Sequence, residues 1–396
     1  LPRNNSNNLG HLANRLFYLW KSYDWLLRPP FFLTDTRGIP IDRPIFLLGV
    51  QGGGLTLLSR MLRRHPAVVS VTGNSRYWAG ADEMQNVFGL ILPAELSGMR
   101  YKAPPHPLLT PPRSWTYACD ELLPYYRRTA KDMKDDMAER FKRIIAYSIR
   151  RFSSVGEGEV RFTDKSQVFT VKLSLLNKLL EGCSPKFVLV TRNPYISCYR
   201  AAIGKAGDMA RLRRKLSHYE RLTLCSQHWR NSYASALEDS EKEGIPMLIV
   251  RFEDLIRQPK EVLSRICQYA ELSFFEDMIP QEHHRLPFGS VRTDRWYPIR
   301  NDVDQEYQRR ITEEDREIID RHCRPLAERF GYQSTPSARP LSRSEGKLQE
   351  NERIPSSPPE IHARSTMGLP THQGMIPSGT IAEKEESRHA GRNRAL

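Results

Sequence analysis

An α/β domain with a P-loop-like central parallel sheet flanked by helices is the fold class this sequence predicts. Short apolar runs of strand length recur along the chain, each followed by a turn and then by helical periodicity. One of those turns is a glycine triplet, Gly52-Gly53-Gly54. No run approaches the ~18 apolar residues that a membrane-spanning helix needs. Strands apolar on both faces and alternating with helices belong to a sheet covered on both sides.

The elements follow in chain order. Residues 1–41 read as an N-terminal extension, in which the aromatic, amphipathic stretch Leu16–Leu27 forms a helix packed on the flank of the domain. Pro44–Gly49 is the first buried strand and leads through the glycines into a helix over Leu55–Arg64. Val68–Val71 and Val160–Thr163 are further strands. Between them Tyr125–Phe152 carries Met133, Met137, Phe141, Ile144 and Ile145 at helical spacing. Lys186–Thr191 is a strand followed by Asn193-Pro194 and a helix around Ile196–Ile203. Met247–Phe252 is a strand that turns at Glu253-Asp254 towards a helix over Val262–Ala270. The α/β domain spans 42–334. Beyond it, residues 335–396 are rich in Pro, Ser, Arg and Glu without a period, and bury too little apolar surface to offset ordering entropy, so disorder is expected.

The chain has 396 residues with 60 Lys+Arg against 46 Asp+Glu, a formal charge of +14 that suits an anionic ligand. No basic module interleaved with aromatics is present, so nucleic acid is not an expected partner. Six cysteines are scattered without a C-x-x-C pair, which fits a reducing, cytoplasmic setting and neither a zinc ribbon nor a disulfide scaffold. A start at Leu1 rather than Met points to a missing upstream segment, and residues 1–32 show no cleavable signal pattern.

The segment Gly49–Thr56 sits between a strand and a helix. Its glycines permit positive φ and bring backbone N–H groups towards one anion, the helix adds its N-terminal dipole, and Thr56 adds a hydroxyl. Without Gly-Lys-Ser/Thr it is not a Walker loop, which argues against a phosphate-ester kinase. Arg192 follows the second strand, where ligands collect in open α/β sheets, and its fork suits phosphate. Arg200, eight residues on, lies roughly 80° away around a helix and reaches the same anion, with Ser197 a weaker candidate. Lys165 ends another strand at the same edge. Arg285, Arg292 and Arg295, beside Trp296, suit a loop over a nucleotide or a solvated surface equally well.

Taken in order, these segments resemble the sulfotransferases. Pro44–Gly49 with Gly54–Leu62 and His65-Pro66 resembles their 5′-phosphosulfate loop and first helix. Phe187–Pro194 resembles their 3′-phosphate strand and turn, and Arg251–Leu255 with Pro259 their late Tyr-Glu-Asp-Leu segment. Asp164-Lys165 with Phe169–Lys172, Arg295-Trp296 and Phe330-Gly331-Tyr332 are similar to motifs of the tyrosylprotein branch. The resemblance implies a sulfotransferase fold and transfer of a sulfuryl group from 3′-phosphoadenosine 5′-phosphosulfate (PAPS) to a hydroxyl or amine, with no metal. It implies that Gly52, Gly53, Gly54, Leu55 and Thr56 hold the phosphosulfate, Arg192 and Arg200 the 3′-phosphate, and that Arg295 covers the nucleotide. The acceptor is a small molecule, carbohydrate, lipid or peptide.

The chain also departs from that pattern. Gly52 stands where family loops carry Arg or Lys, and Leu55 replaces a threonine, so Lys165 is expected to substitute for the loop cation. For the catalytic base no acid follows His65-Pro66 directly; Asp82 and Glu83 come next, His106 is more remote, and Glu83 is the selected candidate. The alternative is a non-catalytic nucleotide-binding or scaffold protein on the same fold.

Overall fold

The computed structural model describes residues 31–73, 82–89, 91–97, 116–156, 159–204, 212–281, 299 and 303–333. The expected flanking helix at 16–27, His106, the arginines 285, 292 and 295, and the tail 335–396 lie outside these residues.

Ile45–Leu48 forms β1, and alternate side chains enter two different cores. Phe46 and Leu48 join one cluster, Ile45 and Leu47 the other. β4 (Lys186–Thr191) divides the same way, Phe187 and Leu189 to one side, Val188 and Val190 to the other. That division is the period-2 consequence of a sheet covered on both faces. β2 (Val68–Val69), β3 (Arg161–Asp164) and β5 (Met247–Arg251) complete a five-stranded sheet of order β2-β3-β1-β4-β5, all parallel. The pairings Phe46↔Asp164 and Phe46↔Phe187 set the register on either side of β1.

Helix α1 (Leu55–Leu62) packs on one face. Helices α2 (Met137–Phe152), α3 (Leu173–Leu179), α4 (Pro194–Ala202) and α5 (His218–Glu243) contribute to the core on the opposite face. Helices α6 (Phe252–Arg257) and α7 (Pro259–Ala270) join α1, while α8 (Val303–Arg310) and α9 (Glu313–Arg329) close the chain on the face of α5. Among the described residues no helix is long and apolar enough to cross a membrane. All six cysteines are free and buried.

Two expectations need correction. Tyr125–Phe152 is not one helix: a turn at Leu123–Tyr126 is followed by a separate 3₁₀ turn at Ala130–Asp132, and α2 starts only at Met137. Thr129 and Asp132 form a reciprocal cap that begins a new turn and overrides the apolar spacing. The strand expected at Met247–Phe252 stops at Arg251, because Phe252 already opens α6. The 26-residue α5 is not among the expected elements, although its punctuation is plain: Ser217 and Glu220 form a capping box, and Gly244 ends the helix in the left-handed region.

Candidate active site

β1 connects leftward to β2, past β3, whereas β4 connects rightward to β5, so the sheet has its switch point between β1 and β4. A crevice opens at the carboxyl ends of strands at such a point. Two loops meet there, the glycine loop after β1 and the Arg192 turn after β4.

Thr170 anchors the glycine loop, its Oγ1 accepting from the Gly49 N–H at 2.7 Å and its hydroxyl donating to the Gly49 carbonyl at 3.0 Å. Gly54, at φ 97°, is the N-cap of α1, and a Cβ there would stand 2.1 Å from Phe252 Cδ2. Gly52, at φ 77°, has no atom within 4 Å of a would-be Cβ. The first turn of α1 has no side-chain cap and no acidic residue, which leaves its N–H donors for an anion. Leu55 turns its side chain into the core and offers the loop only its amide, beside the half-buried Thr56.

Arg192 is 2% exposed. Its Nη1 donates to the Gly52 carbonyl at 2.5 Å, Nη2 is ion-paired with Asp304 on α8, and the guanidinium lies 4.4 Å over the Phe252 ring. Nε is buried without a hydrogen-bond partner among the described residues. The turn behind it is held at three points. Trp229 Nε1 donates to the Arg192 carbonyl at 3.0 Å, the Asn193 N–H donates to Glu253 at 2.8 Å, and the Asn193 side chain caps α4 at Tyr195 N. The Tyr332 hydroxyl contacts both Glu253 at 2.9 Å and Thr191 at 3.0 Å, tying the end of α9 to this turn. Arg200, on α4, stands 5.9 Å over the Tyr307 ring of α8, and desolvation followed by repulsion from Arg192 lowers its pKa. Two mutually repelling arginines at one crevice favour a shared anion.

Glu83 and Lys165, far apart in sequence, are brought together in a second cluster. Lys165 Nζ lies 2.9 Å from Asp82 and 3.2 Å from Glu83, and Arg63 holds the other Asp82 oxygen at 3.0 Å. Burial opposes the lysine charge, but Glu83 and Asp82 outweigh it and raise the Lys165 pKa. Glu83 is crowded with donors. Oε1 accepts from Lys165 and, at 3.0 Å, from Gln167; Oε2 accepts from Gln85 at 2.6 Å and Asn86 at 2.9 Å. Asp164, at the end of β3, accepts from the Met84 N–H, and burial pushes its pKa up to about 6.

A sequence profile of the sulfotransferase family matches residues 44–277, more than half of the chain. The chain belongs to the sulfotransferase family. The match is to the family as a whole, and the tyrosylprotein-like branch rests on the motifs alone. A comparison with curated proteins found no match. Among solved structures, the chain is similar to the sulfotransferase domain of the Synechococcus PCC 7002 olefin synthase, at 19% identity over 76% of this chain and 99% of that one, with a TM-score of 0.43. It is also similar to sulfotransferase STF9 from Mycobacterium avium, at 16% identity over 80% and 82% of the two chains, with a TM-score of 0.41.

The two loops also draw on Asp304, Tyr307 and His228, which no motif announced, and on Glu253 and Tyr332, which lie in the late segments of the resemblance. Asp304 and Tyr307 of α8 meet the two arginines, and Glu253 with Tyr332 braces the Arg192 turn. His228 on α5 meets Gln51 of the glycine loop across 177 residues of sequence. For Asp304 and Tyr307 the local signal is their i, i+3 spacing, which places both on one helix face. The expected covering residue Arg295 lies outside the described residues.

Proposed function

We propose that this sulfotransferase uses PAPS as donor and a hydroxyl or amine as acceptor. The observation that carries this reading is the meeting of Arg192 with the glycine loop at the sheet's switch point, 2.5 Å from Nη1 to the Gly52 carbonyl. The residues present fit such a donor. An uncapped helix start, a loop crowded against Phe252 at Gly54 and a buried, unpartnered Arg192 Nε together suit a ligand with several anionic groups.

When bound, PAPS supplies a sulfuryl group whose bond to the bridging oxygen breaks, the electron pair leaving on the 3′,5′-bisphosphate while the acceptor oxygen or nitrogen bonds sulfur and releases its proton to solvent. The amides of Gly54, Leu55 and Thr56 orient the 5′ end, with Gly52 and Gly53 shaping the loop. Arg192 and Arg200 hold the 3′-phosphate, and the resemblance to the family assigns Arg295 the nucleotide-covering role. In this reading Lys165, kept charged by Asp82 and Glu83, is the cation that takes the place of the missing loop side chain, and preorganised positive charge lowers the barrier as negative charge grows on the leaving oxygen. Both oxygens of Glu83 are occupied by donors from Lys165, Gln167, Gln85 and Asn86. In this reading Glu83 therefore anchors Lys165, in place of the general-base role its position after the first helix suggests. Buried free thiols support a reducing compartment, and a cytoplasmic enzyme is our reading.

Calorimetric titration with 3′-phosphoadenosine 5′-phosphate (PAP), against ATP and AMP, tests the donor. Micromolar binding that needs the 3′-phosphate is expected, and transfer of labelled sulfate from PAPS to a panel of hydroxyl and amine acceptors then tests turnover. Equal affinity for ATP and PAP would overturn the donor assignment.

A further inference from the structure

The contact between His228 and Gln51 has a direction that can be worked out from one unambiguous donor. The Ala118 backbone N–H lies 3.2 Å from His228 Nδ1 and can only donate. Nδ1 is therefore the acceptor nitrogen, and a neutral imidazole then carries its proton on Nε2. His228 is 3% exposed and burial pushes its pKa down to about 3, so the ring is neutral throughout the physiological range. Its Nε2–H faces Gln51 Oε1 at 3.0 Å. The carboxamide of Gln51 is oriented as a result, with oxygen on histidine and the NH₂ group on the other side. Tyr117 stabilises this arrangement, packing edge-on against the imidazole at 4.7 Å while its hydroxyl donates to the Gln167 carbonyl at 2.6 Å.

The Gln51 NH₂ has no hydrogen-bond partner among the described residues, and the side chain is half-buried. Gln51 precedes Gly52, whose carbonyl receives Arg192, and lies on the loop that ends in the uncapped start of α1. A side-chain donor so fixed belongs to the same loop as the amides of that helix start, next to a glycine that offers none. A carboxamide held by a buried neutral ring also needs little reorganisation to meet an anion.

We propose that Gln51 is a donor-binding residue of the loop, its side-chain amide supplying the hydrogen-bond donor that Gly52 lacks, and that His228 is its positioning residue. The ligand group is a sulfate- or phosphate-type oxyanion; that it is the 5′-phosphosulfate of PAPS rests on the donor reading above. Gln51→Glu keeps the oxygen that accepts from His228 and replaces the amide nitrogen by a second carboxylate oxygen. Gln51→Met removes both polar groups at similar size. His228→Phe keeps the aromatic packing on Tyr117 and frees the Gln51 amide to turn.

The experiment measures the affinity of each variant for PAPS and PAP by calorimetry. Each variant's thermal midpoint is followed with and without inorganic sulfate. Losing a hydrogen bond to a charged group weakens binding by about 10- to 100-fold, so Gln51→Glu and Gln51→Met are expected to bind PAPS that much more weakly with midpoints near wild type. His228→Phe is expected to give a smaller loss, and the double variant with Gln51→Met no further loss. PAPS affinity unchanged in both Gln51 variants would overturn the role of Gln51 and leave the donor reading standing. A wild type that ignores PAPS and PAP but is stabilised by sulfate only when Gln51 is present would retain the oxyanion role and remove the donor reading. No response to either ligand would remove both. Affinity lost by His228→Phe in addition to that lost by Gln51→Met would overturn the positioning role.

Discussion

Arg192 donates through Nη1 to the carbonyl of Gly52 at 2.5 Å, joining two residues 140 positions apart at the one place where the sheet's connections diverge. The same guanidinium is stacked on Phe252 and ion-paired with Asp304. One side chain thus ties the glycine loop, the start of α6 and α8 together.

Replacing Arg192 by alanine is expected to weaken PAP binding by about 2–3 kcal/mol, the range for removing a charged hydrogen-bonding partner. Calorimetry measures it, and an unchanged dissociation constant would take Arg192 out of the site. Arg192→Lys is expected to recover only part of the loss, because an ammonium cannot reproduce the fork.

Asp304 competes with any phosphate for Arg192. Asp304→Asn leaves the buried guanidinium without its carboxylate, so the ligand-free protein is destabilised by about 3 kcal/mol. An anion at the crevice restores the missing charge. PAP affinity therefore rises, and PAP shifts the thermal midpoint further in the variant than in wild type. A smaller shift would show that Asp304 supports the ligand site instead of competing for it.

Gly52 and Gly54 separate two effects of glycine substitution. Gly52→Ala meets no atom within 4 Å and carries only the strain of a left-handed backbone, about 1–2 kcal/mol. Gly54→Ala adds a collision with Phe252, and is expected to cost more than about 3 kcal/mol. Urea unfolding of the two variants tests the order, and the second is also expected to lose PAP binding, since Phe252 underlies Arg192.

Lys165→Ala is expected to lower turnover more than donor affinity, measured as kcat against the PAPS dissociation constant. Equal turnover would remove Lys165 from the chemistry. The substitution also takes the Lys165 charge from the buried Asp82 and Glu83, so stability falls by about 3–5 kcal/mol.

The pH dependence of stability carries a signature of His228. Its folded pKa of about 3 lies below the ordinary 6.5, so as pH falls the unfolded chain takes up the proton first. Stability therefore declines by up to about 1.4 kcal/mol per pH unit between those two values. Asp164, raised from 3.8 to about 6, acts with the opposite sign within that window, because there the folded state holds the proton. His228→Phe removes the first contribution alone, and denaturant unfolding from pH 7 to pH 4 is expected to show a smaller acid loss in the variant. An unchanged slope would mean that His228 is protonated in the folded protein.

The order of strands, turns and helices was legible in the sequence because periodicity and turn chemistry are local. Ile45–Leu48, Lys186–Thr191 and the glycine triplet announce themselves within a few residues, and so does an arginine ending a strand. Local patterns also misled. The apolar spacing over Tyr125–Phe152 continues through a segment where the Thr129–Asp132 cap starts a new turn. The capping box of α5 was equally local, yet its importance lies in His228, whose partner is in another element.

By itself the sequence determined a parallel α/β core, a glycine-rich loop after β1 and an arginine after β4, all properties of short windows. Only the tertiary structure decided that Arg192 lands on Gly52, that Glu83 meets Lys165, and that His228 meets Gln51. The physical reason is that each of these bonds joins residues at least 82 positions apart. Their formation depends on the strand order β3-β1-β4 and on which buried polar groups must find partners, and neither is encoded in the period of any single segment.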